Sequence, residues 1–343
     1  MKISKTVTPI RVKLIARGHS SYAWREQTPG CSGRWGDCQF LFDREERNYD
    51  WLVVIDDISR KLAAPPEILA CPDTNTLLVT TEPSPITHYG KGFASQFEWV
   101  LTSQSPQALI HPRRLHSTTG NLWFHGKSYD ELFGNDALEK TQTLSTVCSS
   151  KQQKHTMHHA RYEFTQWLKQ RFPAMEIYGH GVRFVEKKYE AMDAYKYHLA
   201  IENYVAPHHW TEKFSDPLLS HCVPIYHGCP NLSDYFPDGS YIPIDIGKKE
   251  DALEIILNEV SDPDTYASRR EAMLEARRLV LKRYNMLALL NEHISAHCEP
   301  SALPSRRPIF GRKQMRLRNP RDLASNLIWQ GQRMLKKLSG SID

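Results

Sequence analysis

The sequence predicts an α/β protein of two Rossmann-like domains followed by a basic, helical C-terminal extension. Three observations predict this. The chain has 343 residues, too many for one ordinary core. Short β-rich apolar runs alternate with polar, helix-capable stretches, the pattern of a parallel sheet with crossover helices. That alternation stops at a loop-rich middle stretch and then restarts, so two α/β patterns of similar length follow one another.

The elements read in order as follows. Residues 12–16 (VKLIA) form a first strand. Residues 51–55 (WLVVI) form a second, ending at Asp56 and Asp57, where a buried strand emerges. Residues 76–81 (TLLVTT) form a third, closed by Glu82 and Pro83, and residues 99–102 form a fourth. Residues 111–138 hold Pro112, Gly120, Gly126 and Gly134 and read as a functional loop or a domain margin. Strands resume at 144–148. Residues 160–172 then make an amphipathic helix with Tyr162, Phe164, Trp167 and Leu168 as its apolar members. Further strands fall at 176–178, 197–201, 223–226 and 241–244, and 264–294 is mostly helix. The expected division is 1–143, 144–295 and an extension over 296–343.

Composition narrows the class. Forty per cent apolar and 24% charged residues are ordinary for a soluble globular chain. No run of eighteen apolar residues occurs, so no transmembrane helix is expected. No apolar stretch follows the basic residues near Met1, so no secretory signal is expected. Seven cysteines are scattered, with no CxxC, which fits reduced thiols in the cytosol better than a disulfide framework or zinc ribbon. Charge is uneven. Residues 305–338 carry ten cations and one acid, Asp322, for a net +9 within a chain of +5, so the body is mildly acidic.

The most informative segment is 197–246. A buried strand runs out into a polar loop with Glu202 and Asn203. Thr211-Glu212-Lys213 then reads as a helix start with Thr211 as its N-cap. A helix N-terminus offers free amides and positive potential, which suits a diphosphate. Lys213 adds a full charge, and Glu212 can accept hydrogen bonds from ribose hydroxyls. The next strand ends at His227-Gly228, at the carboxyl edge where open α/β sheets bind ligands. Taken alone, Thr211-Glu212-Lys213 reads more often as a capped helix with a solvated ion pair, since caps are common.

The whole segment resembles the donor-binding domain of family 10 glycosyltransferases, the α-1,3/4-fucosyltransferases of bacterial type. The resemblance rests on Ile201-Glu202-Asn203, Thr211-Glu212-Lys213, Pro224-Ile225-Tyr226-His227-Gly228 and the closing YFPDGSYIPIDI. It is clear over 144–246 and weaker before that. It implies a GT-B architecture, two Rossmann-like domains facing across a cleft, and an inverting transfer of fucose from GDP-fucose. It implies that Arg161 and Lys213 contact the diphosphate, Glu212 the ribose, and Asn203 a point near the phosphates and sugar. Glu202, His209 and Tyr178 complete the implied donor site. Glu82 matches the general base, with Glu98, Asp56 and Asp57 as fallback bases. The chemistry agrees: one carboxylate must take the acceptor proton, and the departing nucleotide needs cations, not an acid. Arg161 also reads as a surface arginine paired with Glu163 or Glu82, and Glu82 as a loop acid beside a proline.

Two departures stand out. The family places a tyrosine where this chain has His209, and Pro217 falls inside the expected helix, where it should kink it. A transferase for another GDP-deoxysugar therefore stays open. His155, His158 and His159 have partial metal-like spacing without an acidic partner in register. Gly179-His180-Gly181 lacks the third glycine of a dinucleotide loop. No tightly bound cofactor and no metal are expected. The implied acceptor is a GlcNAc-type sugar on a lipid-linked surface glycan of the lipopolysaccharide kind.

The extension has its own reading. Residues 308–319 look basic and irregular. Asn319 caps a helix with Pro320 at its first position and Asp322 in its first turn. Leu323, Leu327, Met334 and Leu338 share a face, with Arg321, Arg333, Lys336 and Lys337 on the polar side. The expected partner is an anionic membrane surface, which would hold a cytoplasmic enzyme at the inner face of the membrane. The alternatives are a helix packed on the body through its apolar face, or a nucleic-acid-binding module; sparse aromatic interleaving argues against nucleic acid.

Overall fold

The computed structural model describes residues 8–16, 21–59, 61–134, 139–148, 157–298 and 303–339. Ser149, Ser150 and His155 lie outside them, as do the side chains of Lys337 and Leu338. The chain forms two α/β units. The first combines residues 1–119 with 286–330, and the second holds 120–285 and 331–343.

The first unit is built on a seven-stranded sheet. Its spatial order is Arg34–Trp35, Cys38–Leu41, Ile10–Ala16, Trp51–Ile55, Thr76–Thr80, Trp99–Thr102 and Arg114–His116. Every pairing is parallel except that of Arg34–Trp35 with Cys38–Leu41. Trp51–Ile55 and Thr76–Thr80 are buried at every position, as expected of central strands covered on both faces. The second unit holds a five-stranded, wholly parallel sheet in the order Glu176–Tyr178, Gln142–Val147, Tyr195–Ile201, Val223–His227, Ile242–Pro243. Helices His158–Arg171, Glu212–Leu219, Lys249–Ser261 and Arg270–Lys282 accompany it.

The boundaries differ from the expected ones at 143 and 295. Residues 120–134 are tied into the second unit: Asn121 donates to Ser215 Oγ at 2.5 Å, and its amide to Tyr284 O at 2.8 Å. Helix Met286–His297 belongs to the first unit. Asn291 Oδ1 accepts the amides of Asp37 and Cys38 at 2.9 and 3.3 Å, and the His293 ring meets Trp51 and Trp99 edge-on. The helical pattern runs almost unbroken from 264 to 294, so periodicity alone hides the crossing between units.

The extension is not an appendage, and 308–319 is not irregular. Pro308–Ile309 pairs antiparallel with Glu67–Ile68, and Ile309 is fully buried in the first unit's core. Helix Arg312–Arg318 follows. Arg312 gives its backbone amide and Nε to Asp57 at 2.9 and 3.1 Å. Helix Pro320–Ser339 begins as expected, with Asn319 Oδ1 accepting the Arg321 amide at 3.0 Å.

Candidate functional site

The second sheet has the 2-1-3-4-5 order of a doubly wound fold. Its switch point lies between Gln142–Val147 and Tyr195–Ile201, the pair from which the chain departs in opposite directions. Ligands of such sheets bind outside the carboxyl ends of the strands at that point. Glu202 and Asn203 leave Tyr195–Ile201 there, and helix His158–Arg171 follows Gln142–Val147. Arg161 Nη1 donates to Asn203 Oδ1 at 2.8 Å. The Arg161 side chain is largely buried, and its Nε has no partner among the described residues. Among the described residues Glu163 pairs not with it but with His159, at 3.3 Å. A buried guanidinium with an unanswered donor is suited to an incoming anion.

Helix Glu212–Leu219 starts on Thr211, whose Oγ1 accepts the Lys213 amide at 3.3 Å. Thr211 is itself held by Glu202. That carboxylate is fully buried, accepting the Thr211 amide at 2.8 Å and its hydroxyl at 2.9 Å. Glu202 therefore braces the helix cap from behind. Burial pushes its carboxyl up, with Lys213 at 3.7 Å opposing. Gly228 makes this packing possible, since an added methyl would overlap Tyr226 and the Glu202 stem. Pro217 sits in the helix's last turn, where the segment ends two residues later without losing its start.

Lys213 Nζ lies 3.1 Å from Glu212 Oε1. Burial works against both charges, and their mutual attraction outweighs it. The Glu212 carboxyl is held well below the usual carboxylate range, and the Lys213 ammonium is raised. His209 is buried, edge-on to Tyr204 at 5.8 Å. Burial, with Lys213 adding repulsion, lowers it to about 4, so the ring is neutral near pH 7. Tyr178 is not brought into this group. Its hydroxyl bonds Tyr195 at 2.8 Å within a packed cluster, and Arg183 covers its ring at 4.8 Å.

In the first unit Glu82 stands exposed just past the carboxyl end of Thr76–Thr80. Gln104, itself buried, donates to the Glu82 carbonyl at 2.8 Å and the Thr87 carbonyl at 3.2 Å, fixing the turn that carries it. All three fallback bases are engaged. Asp56, at φ 65°, accepts the Thr81 amide at 2.8 Å and hydroxyl at 2.5 Å and also binds the Tyr89 hydroxyl. Asp57 holds Arg312, and Glu98 pairs with Arg113 at 3.0 Å.

Two residues escaped sequence reasoning. Lys188 Nζ lies 3.0 Å from Asp216 Oδ2 and 3.7 Å from Glu212 Oε1. Asp216 was legible in principle, four residues after Glu212 and so on the same helix face. Lys188 was not: it lies in a short turn, Lys188–Ala191, with no periodic signal.

These residues fall in a recognisable family stretch. Residues 137–270 match the model of the glycosyltransferase family 10 (fucosyltransferase) C-terminal domain. Over 88 residues the chain is 36% identical to α-(1,3)-fucosyltransferase B of Drosophila melanogaster, covering 25% of this chain and 20% of the relative's length. The chain thus spans about a fifth of the curated relative it matches. Among solved structures it is similar to an α1,3-fucosyltransferase with GDP-fucose, at TM-score 0.47 and 16% identity over 83% of this chain and 95% of that one. The corresponding structure with GDP gives 0.49 and 16% over 83% and 94%. Arg161, Asn203, Glu212 and Lys213 all lie inside the stretch that matches the glycosyltransferase family 10 (fucosyltransferase) C-terminal model.

Proposed function

We propose that the protein is an inverting fucosyltransferase that takes fucose from GDP-fucose in a GT-B arrangement of its two units. The observation that carries this reading is the Arg161–Asn203 and Thr211–Lys213 constellation at the sheet's switch point, inside the family 10 stretch. Arg161 and Lys213 hold the diphosphate, and Glu212 accepts from ribose hydroxyls. Glu82 takes the proton from the acceptor hydroxyl. That oxygen attacks the anomeric carbon as the bond to GDP breaks, the electron pair leaves with the diphosphate, and the configuration inverts. The place of Glu82 just past the carboxyl end of Thr76–Thr80, where ligands of open α/β sheets bind, supports it as the base.

The acceptor in this reading is a GlcNAc-type sugar of a lipid-linked, lipopolysaccharide-like glycan, met by a cytoplasmic enzyme at the membrane's inner face. Support comes from helix Pro320–Ser339, which turns leucines to solvent. No helix among the described residues is long and apolar enough to cross a membrane. A second reading, transfer of another GDP-deoxysugar, is favoured by His209 standing where the family has tyrosine.

Thermal melts with GDP, UDP and CDP test the donor, followed by a screen of GDP-sugars for transfer with product mass. A shift specific to GDP and transfer from GDP-fucose are expected. Equal shifts with all three nucleotides would reject the donor reading.

A further inference from the structure

Helix Glu212–Leu219 carries two carboxylates one turn apart, Glu212 and Asp216. Like charges at that spacing repel. Asp216 is fully buried and accepts the Phe124 amide at 3.2 Å. The only cation that reaches both, among the described residues, is Lys188. Its ammonium sits 3.0 Å from Asp216 Oδ2 and 3.7 Å from Glu212 Oε1, with the Phe124 ring beneath it at 5.5 Å. Lys213 approaches the same Glu212 oxygen from its other side at 3.1 Å. Two cations thus converge on Oε1 and pin the carboxylate through that oxygen.

We propose that Lys188 is a positioning residue for nucleotide recognition: anchored by Asp216, it fixes the Glu212 carboxylate so that this carboxylate accepts from the ribose hydroxyls of a purine nucleoside diphosphate. This rests on the reading of Glu212 given above. The reason a second cation is needed lies in Lys213. When a diphosphate arrives, Lys213 turns from Glu212 toward the phosphates, since a doubly charged oxyanion group competes strongly for an ammonium. Glu212 would then lose its orienting partner, and Asp216 would repel it. Lys188 cannot follow Lys213, because Asp216 holds it. Burial opposes its charge, but the two carboxylates outweigh this and keep it protonated.

The division of labour is testable with three probes on the full chain: GDP, 2′,3′-dideoxy-GDP and inorganic pyrophosphate, measured by calorimetry. The unaltered protein should prefer GDP over the dideoxy form by roughly tenfold to a hundredfold, the worth of hydrogen bonds to a charged acceptor. In Lys188→Met that preference should fall to within about threefold, with pyrophosphate affinity nearly unchanged, and Lys188→Arg should restore it. Lys188→Gln keeps a donor without charge; it serves if the methionine variant does not fold, and should lose the preference likewise. A preference retained in Lys188→Met or Lys188→Gln, or a pyrophosphate affinity that falls as far as that for GDP, would overturn the inference. Absence of GDP binding by the unaltered chain would instead overturn the donor reading beneath it.

Discussion

Asp322 accepts the backbone amide of Gly92 at 2.7 Å across 230 residues of sequence, and the Phe93 amide at 2.9 Å. Its carboxylate is buried and caps the short helix Lys91–Ala94. Gly90 and Gly92 leave room for it, since a methyl on either would strike Asp322. The C-terminal segment is therefore part of the first unit's fold. Asp322→Ala leaves two buried amides unanswered and should cost about 1–3 kcal/mol, read as a lowered melting temperature. A chain truncated after Pro304 also loses Ile309 and the Arg312–Asp57 pair, and should fail to give a cooperative first-unit transition. A melt unchanged by truncation would disprove this.

Removing the cations should weaken nucleotide binding. Arg161→Ala and Lys213→Ala each delete a charge-assisted phosphate contact, worth about 1.5–3 kcal/mol, or roughly tenfold to over a hundredfold in GDP affinity. Lys213→Ala also strands the buried Glu202 carboxylate, and Arg161→Ala takes the Arg161 donor from Asn203 Oδ1, so both should lower stability as well. Calorimetry and melting curves separate the two effects. Unchanged GDP affinity in both variants would move the donor site elsewhere.

Glu82→Gln keeps the turn fixed by Gln104 and removes only basicity. Turnover should drop by roughly 10²–10⁴ while GDP binding stays as it was. Because Asp56, Asp57 and Glu98 are already engaged, none should take over. Near-normal turnover would assign the proton transfer to another group.

Much of this was legible. Trp51–Ile55, Trp99–Thr102 and Glu176–Tyr178 fall where apolar runs place them, and Thr211 caps its helix as its residue type predicts. The hairpin Arg34–Trp35 and Cys38–Leu41 was missed despite its Gly36-Asp37 turn signal, Gly36 lying at φ 53°. Its strands are too short for a periodic pattern. Asp322 was read as an acid favouring its own helix's N-terminus. Its actual partners are 230 and 229 positions away, and local sequence carries no trace of them. Lys188 was missed for the same reason. Glu202 was named for the right segment, but its hold on Thr211 was not legible, because burial, not residue type, sets which partners a carboxylate finds.

Stability should vary with pH through the helix carboxylates. Burial raises Asp216 from 3.8 to about 6, with Lys188 opposing, and raises Glu202 in the same direction. A raised acid binds more protons folded than unfolded, so stability falls as pH rises toward about 6. Glu212 has the opposite sign, but its contribution is lost only as pH falls below its ordinary 4.5. Between 4.5 and 6 the Asp216 share should amount to roughly 1–2 kcal/mol, and it opposes the buried neutral histidines such as His209, whose contribution falls as pH falls. Asp216→Asn should remove that share and tilt the slope toward greater stability at higher pH in melts taken across the window. An equally steep slope in the variant would refute the assignment.

Helix Pro320–Ser339 meets the body with its polar edge. Asn326 is buried beside Asp322, Ser325 Oγ lies 3.0 Å from the His88 ring, and the Trp329 indole donates to the Ser84 carbonyl at 2.9 Å. Its apolar side chains face outward: Leu327 is 57% exposed, Ile328 63%, Met334 64% and Leu335 67%. A helix packed for water alone would present the reverse face, so this orientation asks for an apolar cover. Arg321 and Lys336 are exposed on the same helix, and each cation near an anionic surface adds about 1 kcal/mol. Burying one leucine or isoleucine adds at most about 1.5–3 kcal/mol. Replacing Leu323, Leu327 and Ile328 together by serine should leave the melting temperature unchanged, because none of the three supports the Asp322, Asn326 and Trp329 contacts. Co-sedimentation with anionic vesicles at low salt should nevertheless be lost. Equal sedimentation of the two proteins would sink the membrane reading, and a lowered melting temperature would show that these side chains support the fold after all.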